Sequence, residues 1–151
     1  MMLFDKYGRP LLHLRISVTN RCNYACIYCH REGSWNNFKL NIRRELTPEE
    51  LHIIAMAFTK LGIRKFKLTG GEPLIREDIV EVISAINEVK PLDLAMTTNG
   101  YYLKELAYKL KDAGLRRINI SLPSLRRSVY REITGVDGLS RVLEGIKAAI
   151  D

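Results

Sequence analysis

The chain has 151 residues, of which 46% are hydrophobic and 27% charged, an ordinary composition for one soluble domain or a large part of one. It has no apolar run long enough to cross a membrane, and its first residues lack the order of a signal peptide. We therefore expect a cytoplasmic protein. The net charge of +7 without a basic tail or RNA-binding motif favours a small anionic partner over nucleic acid.

The first predicted element is a strand over residues 11–18, where apolar and polar side chains alternate. The segment that follows holds all three cysteines of the chain, Cys22, Cys26 and Cys29, with the spacing C-x3-C-x2-C. Disulfides need pairs of cysteines and are rare in the cytoplasm. Three clustered thiols therefore predict metal ligands.

The number of thiols separates two kinds of metal centre. A structural zinc site takes four ligands, and His30 or the more distant His13 would have to supply the fourth. A [4Fe–4S] cluster normally takes four thiolates, so three leave one iron open to a ligand from outside the protein. An open metal position is typical of a catalytic site.

Strands and helices alternate along the rest of the chain. A capping box at Thr47–Glu50, with Pro48 at the first helical position, predicts a helix that runs to about Leu61. Further strands are predicted over residues 63–69, 92–98 and 115–122, and further helices over residues 76–89, 103–113, 124–132 and 139–150.

The order βαβαβαβα predicts the α/β class, with a parallel sheet and right-handed crossovers. Three strands have one polar face each, which favours a barrel lumen over a doubly wound sheet buried on both sides. The third strand fits less well, because Thr98 has the same parity as the apolar Leu92, Leu94 and Met96. Four strands cannot close a barrel. We therefore expect a partial (β/α) barrel of about four parallel strands with outer helices.

Candidate ligand-binding loops follow the strands, where parallel α/β folds bind their ligands. Gly70 and Gly71 follow the second strand, and glycine lets the backbone approach a ligand closely. Asn99-Gly100 follows the third strand and Ser121 ends the fourth. Each of these, taken alone, is also an ordinary turn or structural residue.

Taken together, these motifs carry a resemblance. The cysteine motif with Tyr28 before its last cysteine resembles the signature of radical S-adenosylmethionine (SAM) enzymes. The segments RISVTNRCNYACIYC, LTGGEPLIREDI, TTNG, INISLPSL and ITG, in this order, resemble the GTP 3′,8-cyclases of molybdenum-cofactor biosynthesis, the MoaA family. The resemblance covers essentially the whole chain.

The resemblance implies a chemistry that protein side chains alone do not supply. A [4Fe–4S] cluster binds SAM at its open iron and cleaves it to a 5′-deoxyadenosyl radical. The implied enzyme is a lyase that converts GTP to (8S)-3′,8-cyclo-7,8-dihydroguanosine 5′-triphosphate in molybdopterin biosynthesis. An electron donor is implied as a partner.

The resemblance also implies site residues, none of them catalytic in the strict sense. The cluster ligands are Cys22, Cys26 and Cys29. The SAM-binding residues are Tyr28, Gly70, Gly71, Glu72 and Ser121. The GTP-binding residues are Arg15, Lys67 and Thr98. A side chain at Gly71 is expected to weaken SAM binding while the cluster remains in place.

The sequence departs from the family pattern in three ways. Lys67 stands where many relatives have arginine, and Pro123 where they often have aspartate. The family's second three-cysteine cluster has no counterpart here, so we expect residues 1–151 to be the N-terminal part of a radical SAM core domain, truncated and impaired, acting as a homodimer or with a complementing C-terminal half. Two alternatives stay open: another radical SAM enzyme of the peptide-modifying or activating type, and a non-catalytic zinc module.

Overall fold

The strands and helices of the computed structural model, which describes residues 2–29 and 44–151, alternate as the sequence predicts. The strands are β1 (His13–Ser17), β2 (Lys65–Thr69), β3 (Asp93–Thr98) and β4 (Arg117–Ile120). The helices are α1 (Pro48–Lys60), α2 (Ile79–Asn87), α3 (Leu103–Asp112), α4 (Arg127–Thr134) and α5 (Leu139–Ile150). No helix in these ranges is long and apolar enough to cross a membrane.

The ends of the helices follow the local signals of the sequence. Thr47 accepts a hydrogen bond from the backbone N–H of Glu50, and the carboxylate of Glu50 accepts one from the N–H of Thr47, so the predicted capping box is confirmed. The helix predicted from residue 76 begins later, at Ile79, because a 3₁₀ turn at Pro73–Ile75 precedes it and Arg76 is extended.

All four strands are parallel and lie in the order β1-β2-β3-β4. A doubly wound sheet reverses its strand order at a switch point, whereas successive right-handed crossovers without reversal place the helices on one side. The prediction of a partial (β/α) barrel is therefore confirmed. Within the described ranges, the outer edges of β1 and β4 pair with no further strand.

The helix-covered face of the sheet forms the core. Phe66, Leu68, Leu94 and Met96 are at most 1% exposed and pack under the first three helices. Burial of each such side chain contributes about 1.5–3 kcal/mol. This apolar layer fixes which side chains of every strand point to the opposite face.

The opposite face is polar, and the register aligns its side chains in rows across the sheet. His13, Lys65 and Asp93 form the first row; Arg15, Lys67, Ala95 and Arg117 form the second; Ser17 and Thr69, then Thr97 and Asn119, lie two residues further along. The misfit of the third strand has a simple cause: Thr97 belongs to this inner face, and Thr98 points to the core side with Leu94 and Met96.

Candidate cofactor and substrate site

The loops at the carboxyl ends of the four strands enclose one cavity. All eight residues that the sequence predicts for the cluster and for SAM line it, together with Thr98 from the predicted GTP set. They are Cys22, Cys26, Tyr28, Cys29, Gly70, Gly71, Glu72, Thr98 and Ser121. Tyr24, Thr69, Thr97, Asn99 and Thr134 complete the lining.

The three thiols are unpaired and differ in exposure: Cys22 and Cys26 are half-buried, and Cys29 is exposed. Burial raises the pKa of both the Cys22 and the Cys26 thiol. Among the described residues, no three His, Cys, Asp or Glu side chains converge closely enough to hold a single metal ion. A four-iron cluster attaches each thiolate to a different iron, and the three thiols here line one cavity.

The chemistry of the donors also fits an iron–sulfur cluster. Soft thiolate ligands select such clusters, and backbone N–H groups that point at the sulfurs tune them. The N–H of Tyr24 donates to the Sγ of Cys22 at 3.4 Å. His30, the candidate fourth zinc ligand, lies outside the described residues.

Helix α4 and its C-terminal residues hold the cysteine loop from one side. The N–H of Ala25 donates to the carbonyl of Thr134 at 3.0 Å, and the N–H of Ile27 to that of Ile133 at 2.9 Å. The hydroxyls of Tyr24 and Tyr130, both buried, lie 2.8 Å apart. These contacts fix the backbone between the first and last cysteine against a rigid element.

A buried arginine ties together the two ends of the segment that carries the cysteines. The guanidinium of Arg76 donates to the carbonyl of Val18 at 2.7 Å and to that of Leu46 at 2.9 Å. It also forms a bidentate pair with Asp78, and this pair holds the pKa of that carboxyl below its usual range. The sequence analysis missed this role, because an Arg at the start of a helix ordinarily faces solvent.

A second ion pair closes the same segment nearer to Cys22. Both carboxylate oxygens of Glu45 accept hydrogen bonds from Arg21, at 3.0 and 3.1 Å, and one of them also accepts from the hydroxyl of Thr19. Burial alone would raise the pKa of Glu45, but these hydrogen bonds outweigh it and lower the pKa. Arg21, the residue before Cys22, is thereby fixed in place.

The two glycines after β2 allow a close approach of two backbone segments. The N–H of Gly71 donates to the carbonyl of Thr19, and the N–H of Glu72 to that of Arg21, both at 2.8 Å. A Cβ atom on Gly70 would overlap with the Thr19 carbonyl, and one on Gly71 with the Arg21 carbonyl. Gly70 also has a φ of +139°, which disfavours other residues. The glycines therefore seat the cysteine loop as well as facing the cavity.

The carboxylate of Glu72 is 1% exposed and accepts three hydrogen bonds. Its donors are the Thr98 hydroxyl at 2.6 Å, the Asn99 N–H at 2.6 Å and the Leu74 N–H at 3.0 Å. Burial raises the pKa of Glu72, and the three hydrogen bonds oppose that rise. The side chain supports the loop after β3 through these hydrogen bonds. The SAM contact predicted for Glu72 would therefore be made by its backbone.

The hydroxyl of Thr98 is committed in the same way. It donates to Glu72 and accepts from the N–H of Gly100 at 2.9 Å, and the residue is 2% exposed. The role in GTP binding that the resemblance implies for Thr98 stays a prediction, and the residue lines the cavity. Its neighbour Thr97 points to the inner face and lines the same cavity.

We expect Glu72→Gln to lower the free energy of unfolding by about 1–3 kcal/mol. The amide would keep one accepting oxygen, and its NH₂ group would face another donor from the backbone. Chemical denaturation measures the change. Glu144→Gln, which alters an exposed ion pair with Lys104, is the matched control and should leave stability nearly unchanged, because exposed ion pairs contribute little. Equal stability of both variants would contradict a bracing role for Glu72.

The predicted GTP residues Arg15 and Lys67 lie in a second cavity, of about 300 Å³, on the inner face of the sheet. They are register partners on β1 and β2. Along the strands, their row lies two residues, or about 7 Å, before the row of Ser17, Thr69, Thr97 and Asn119. Three further charged residues line this cavity: Lys65, Asp93 and Arg117. The sequence places Lys65 on the polar face of its strand but not in the GTP set, and it singles out neither Asp93 nor Arg117.

Comparison with known proteins agrees with this geometry. The family description of the Radical SAM superfamily matches residues 16–151. A protein of Thermococcus kodakarensis named "Probable GTP 3′,8-cyclase" is 55% identical over an alignment of 151 positions, which covers 99% of this chain and 47% of that protein. One of the same name from Methanocaldococcus jannaschii is 50% identical over 97% of this chain and 48% of its own length. The chain thus spans about half the length of the curated relatives it matches.

Among solved structures, Streptococcus suis SuiB bound to S-adenosylmethionine superposes with a TM-score of 0.71 at 23% identity, over 90% of this chain and 29% of that one. At this identity the likeness concerns the fold alone. The loops that carry the cysteines and the two glycines occupy the carboxyl ends of the strands in this shared fold.

Proposed function

We propose that this chain, which belongs to the radical SAM superfamily, carries the SAM-cleaving part of a GTP 3′,8-cyclase. The observation that carries the proposal is the shared inner face of the sheet. The cysteine loop and the Gly-Gly loop enclose a cavity at the carboxyl ends of the strands, and a cation-lined cavity lies next to it on the same face. The identity of 55% to a protein named as such a cyclase supports it.

The cofactors are those of the superfamily, a [4Fe–4S] cluster and SAM. Cys22, Cys26 and Cys29 would hold the cluster, which supplies the electron that cleaves SAM to a 5′-deoxyadenosyl radical. Tyr28, which is 57% exposed, and Ser121 line the same cavity and would contact SAM. The backbone of Gly70 and Gly71 would set how closely the loop after β2 approaches the cysteine loop; together the two loops enclose that cavity.

The proposed substrate is GTP, which the reaction rearranges to a cyclic 3′,8-linked nucleotide that retains its triphosphate. Arg15 and Lys67 would attract the triphosphate, because two cations on adjacent strands present a concentrated positive charge. Thr69 and Thr97, which line the first cavity two residues beyond the row of Arg15 and Lys67, would then lie beside the ribose. The proposed compartment is the cytoplasm, where unpaired thiols stay reduced, and an external electron donor is part of the proposal.

A peptide-modifying radical SAM enzyme, the alternative that the sequence analysis left open, is the second candidate. The row of cations on the inner face favours the nucleotide. A GTP-dependent product, rather than a modified peptide, would separate the two.

We expect the 151-residue chain, reconstituted with iron and sulfide, to bind SAM, to bind GTP weakly and with strong salt dependence, and to cyclise little or no GTP. Arg15 is exposed on an open sheet, and water weakens each charge pair several-fold compared with a closed site. Calorimetric titration at two ionic strengths tests binding, and chromatography after anaerobic incubation tests cyclisation. The C-terminal half of a related cyclase should restore cyclisation. Efficient turnover by the chain alone would contradict this reasoning.

A further inference from the structure

The cavity on the inner face holds one acidic side chain among five basic ones. His13, Arg15, Lys65, Lys67 and Arg117 supply the basic groups, and Asp93 is the acid. Ala95 lies between Lys67 and Arg117 in the second row. Because its side chain is small, the cavity stays open between the two cations.

Asp93 is paired with Arg117, which lies across the strand boundary. The Nε of Arg117 donates to one carboxylate oxygen at 3.1 Å, and its Nη2 donates to the other. This pairing holds the pKa of the Asp93 carboxyl below its usual range, so the group is ionised at neutral pH. The side chain of Asp93 is 17% exposed, whereas that of Arg117 is 62% exposed and open to a ligand.

We propose that Asp93 is a built-in counter-ion of a polyphosphate-binding cavity: it holds Arg117 at the cavity wall and weakens the binding of the substrate's triphosphate. The inference rests on the proposed function, since it takes the triphosphate of GTP as the ligand. When the triphosphate binds, the guanidinium of Arg117 turns from the carboxylate of Asp93 to the phosphate oxygens, because it forms bidentate hydrogen bonds with either group.

A weakened phosphate site suits the proposed reaction. The triphosphate is remote from the bonds that change, and the product carries it unaltered. Interactions that bind substrate and product equally do not accelerate the chemical step, and they slow product release. An acid within the cation cluster limits this uniform binding while the remaining cations still attract the ligand.

Inorganic triphosphate, titrated by calorimetry at low salt into the reconstituted chain, tests the proposal with two variants of opposite expected sign. Asp93→Asn should tighten binding about three- to ten-fold, because it removes a repulsive charge and frees Arg117. Arg117→Gln should weaken binding about three- to ten-fold. Arg116→Gln is the matched control, since Arg116 lies outside the cavity and donates to the carbonyl of Leu92; it should leave the affinity within about two-fold.

The outcomes separate this inference from the proposed function. Weaker binding by Asp93→Asn, or an affinity unchanged by both cavity variants, would overturn the counter-ion role. Conversion of GTP by the complemented chain reports the proposed function independently. If the variants shift triphosphate affinity as expected while no GTP is converted, the counter-ion role stands and the cyclase proposal fails. If GTP is converted but neither variant changes triphosphate affinity, the cyclase proposal stands and the counter-ion role fails.

Discussion

Cys22→Ala, Cys26→Ala and Cys29→Ala are each expected to abolish the four-iron cluster. The chain has only these three thiols, so no spare soft ligand exists to replace a lost one. All three line the same cavity. Iron and acid-labile sulfide, measured per chain after anaerobic reconstitution, should both fall to the background level, and the electron paramagnetic resonance signal of the reduced cluster should disappear.

His30→Ala is the variant that separates the cluster from a zinc module. A zinc site built from three cysteines and one histidine would lose its metal in this variant, whereas the cluster should keep its full iron content. Stoichiometric zinc without sulfide in the unaltered chain, or loss of iron in His30→Ala together with retention in Cys26→Ala, would contradict the assignment of the cysteines.

The fold followed from the sequence because its signals are local and repeated. Alternating strands and amphipathic helices fix a parallel sheet, and a capping box or a glycine marks the helix ends. Strand parity also placed Arg15 and Lys67 together on one face. It also placed Thr98 with the apolar side chains of its strand, on the core side, where its hydroxyl is satisfied by Glu72 and Gly100.

The site was harder to predict, because its supporting contacts join residues far apart in the chain. Arg76 bonds backbone carbonyls 58 and 30 residues away, and no local pattern marks an arginine as buried. The pair of Asp93 and Arg117 depends on the register of β3 against β4. The cysteines, by contrast, could be recognised from the sequence alone, because their chemistry is rare and their spacing is short.

The second large effect is expected at Gly71. The sequence alone led us to expect that a side chain here weakens SAM binding and spares the cluster. In the structure, a Cβ on Gly71 would overlap with the carbonyl of Arg21, the residue before Cys22. The hydrogen bond of Glu72 to that carbonyl keeps the two backbones at this distance. The cysteine loop must therefore shift when Gly71 carries a side chain.

We accordingly expect Gly71→Ala to lower both cluster content and SAM affinity, and Gly71→Val to abolish both. The smaller substitution should cost about 1–3 kcal/mol of unfolding free energy, because the overlap with the Arg21 carbonyl forces a backbone shift. Iron content, calorimetric titration of SAM and thermal unfolding are measured on the same preparations. Gly8→Ala is the control: Gly8 has a positive φ, of +79°, which Gly71 does not share, and a Cβ there meets no atom within 4 Å.

The control loses a glycine without a steric clash, so it separates the general cost of that loss from the overlap at Gly71. Gly8→Ala should cost about 1–2 kcal/mol and leave the cluster and SAM binding unchanged. A folded Gly71→Ala variant that keeps its full cluster and loses only SAM affinity would show that the glycine serves the ligand alone. Parallel loss of iron and SAM binding at Gly71, with neither lost at Gly8, would show that the Gly-Gly loop sets the position of the cysteines, on which the binding of SAM to the open iron depends.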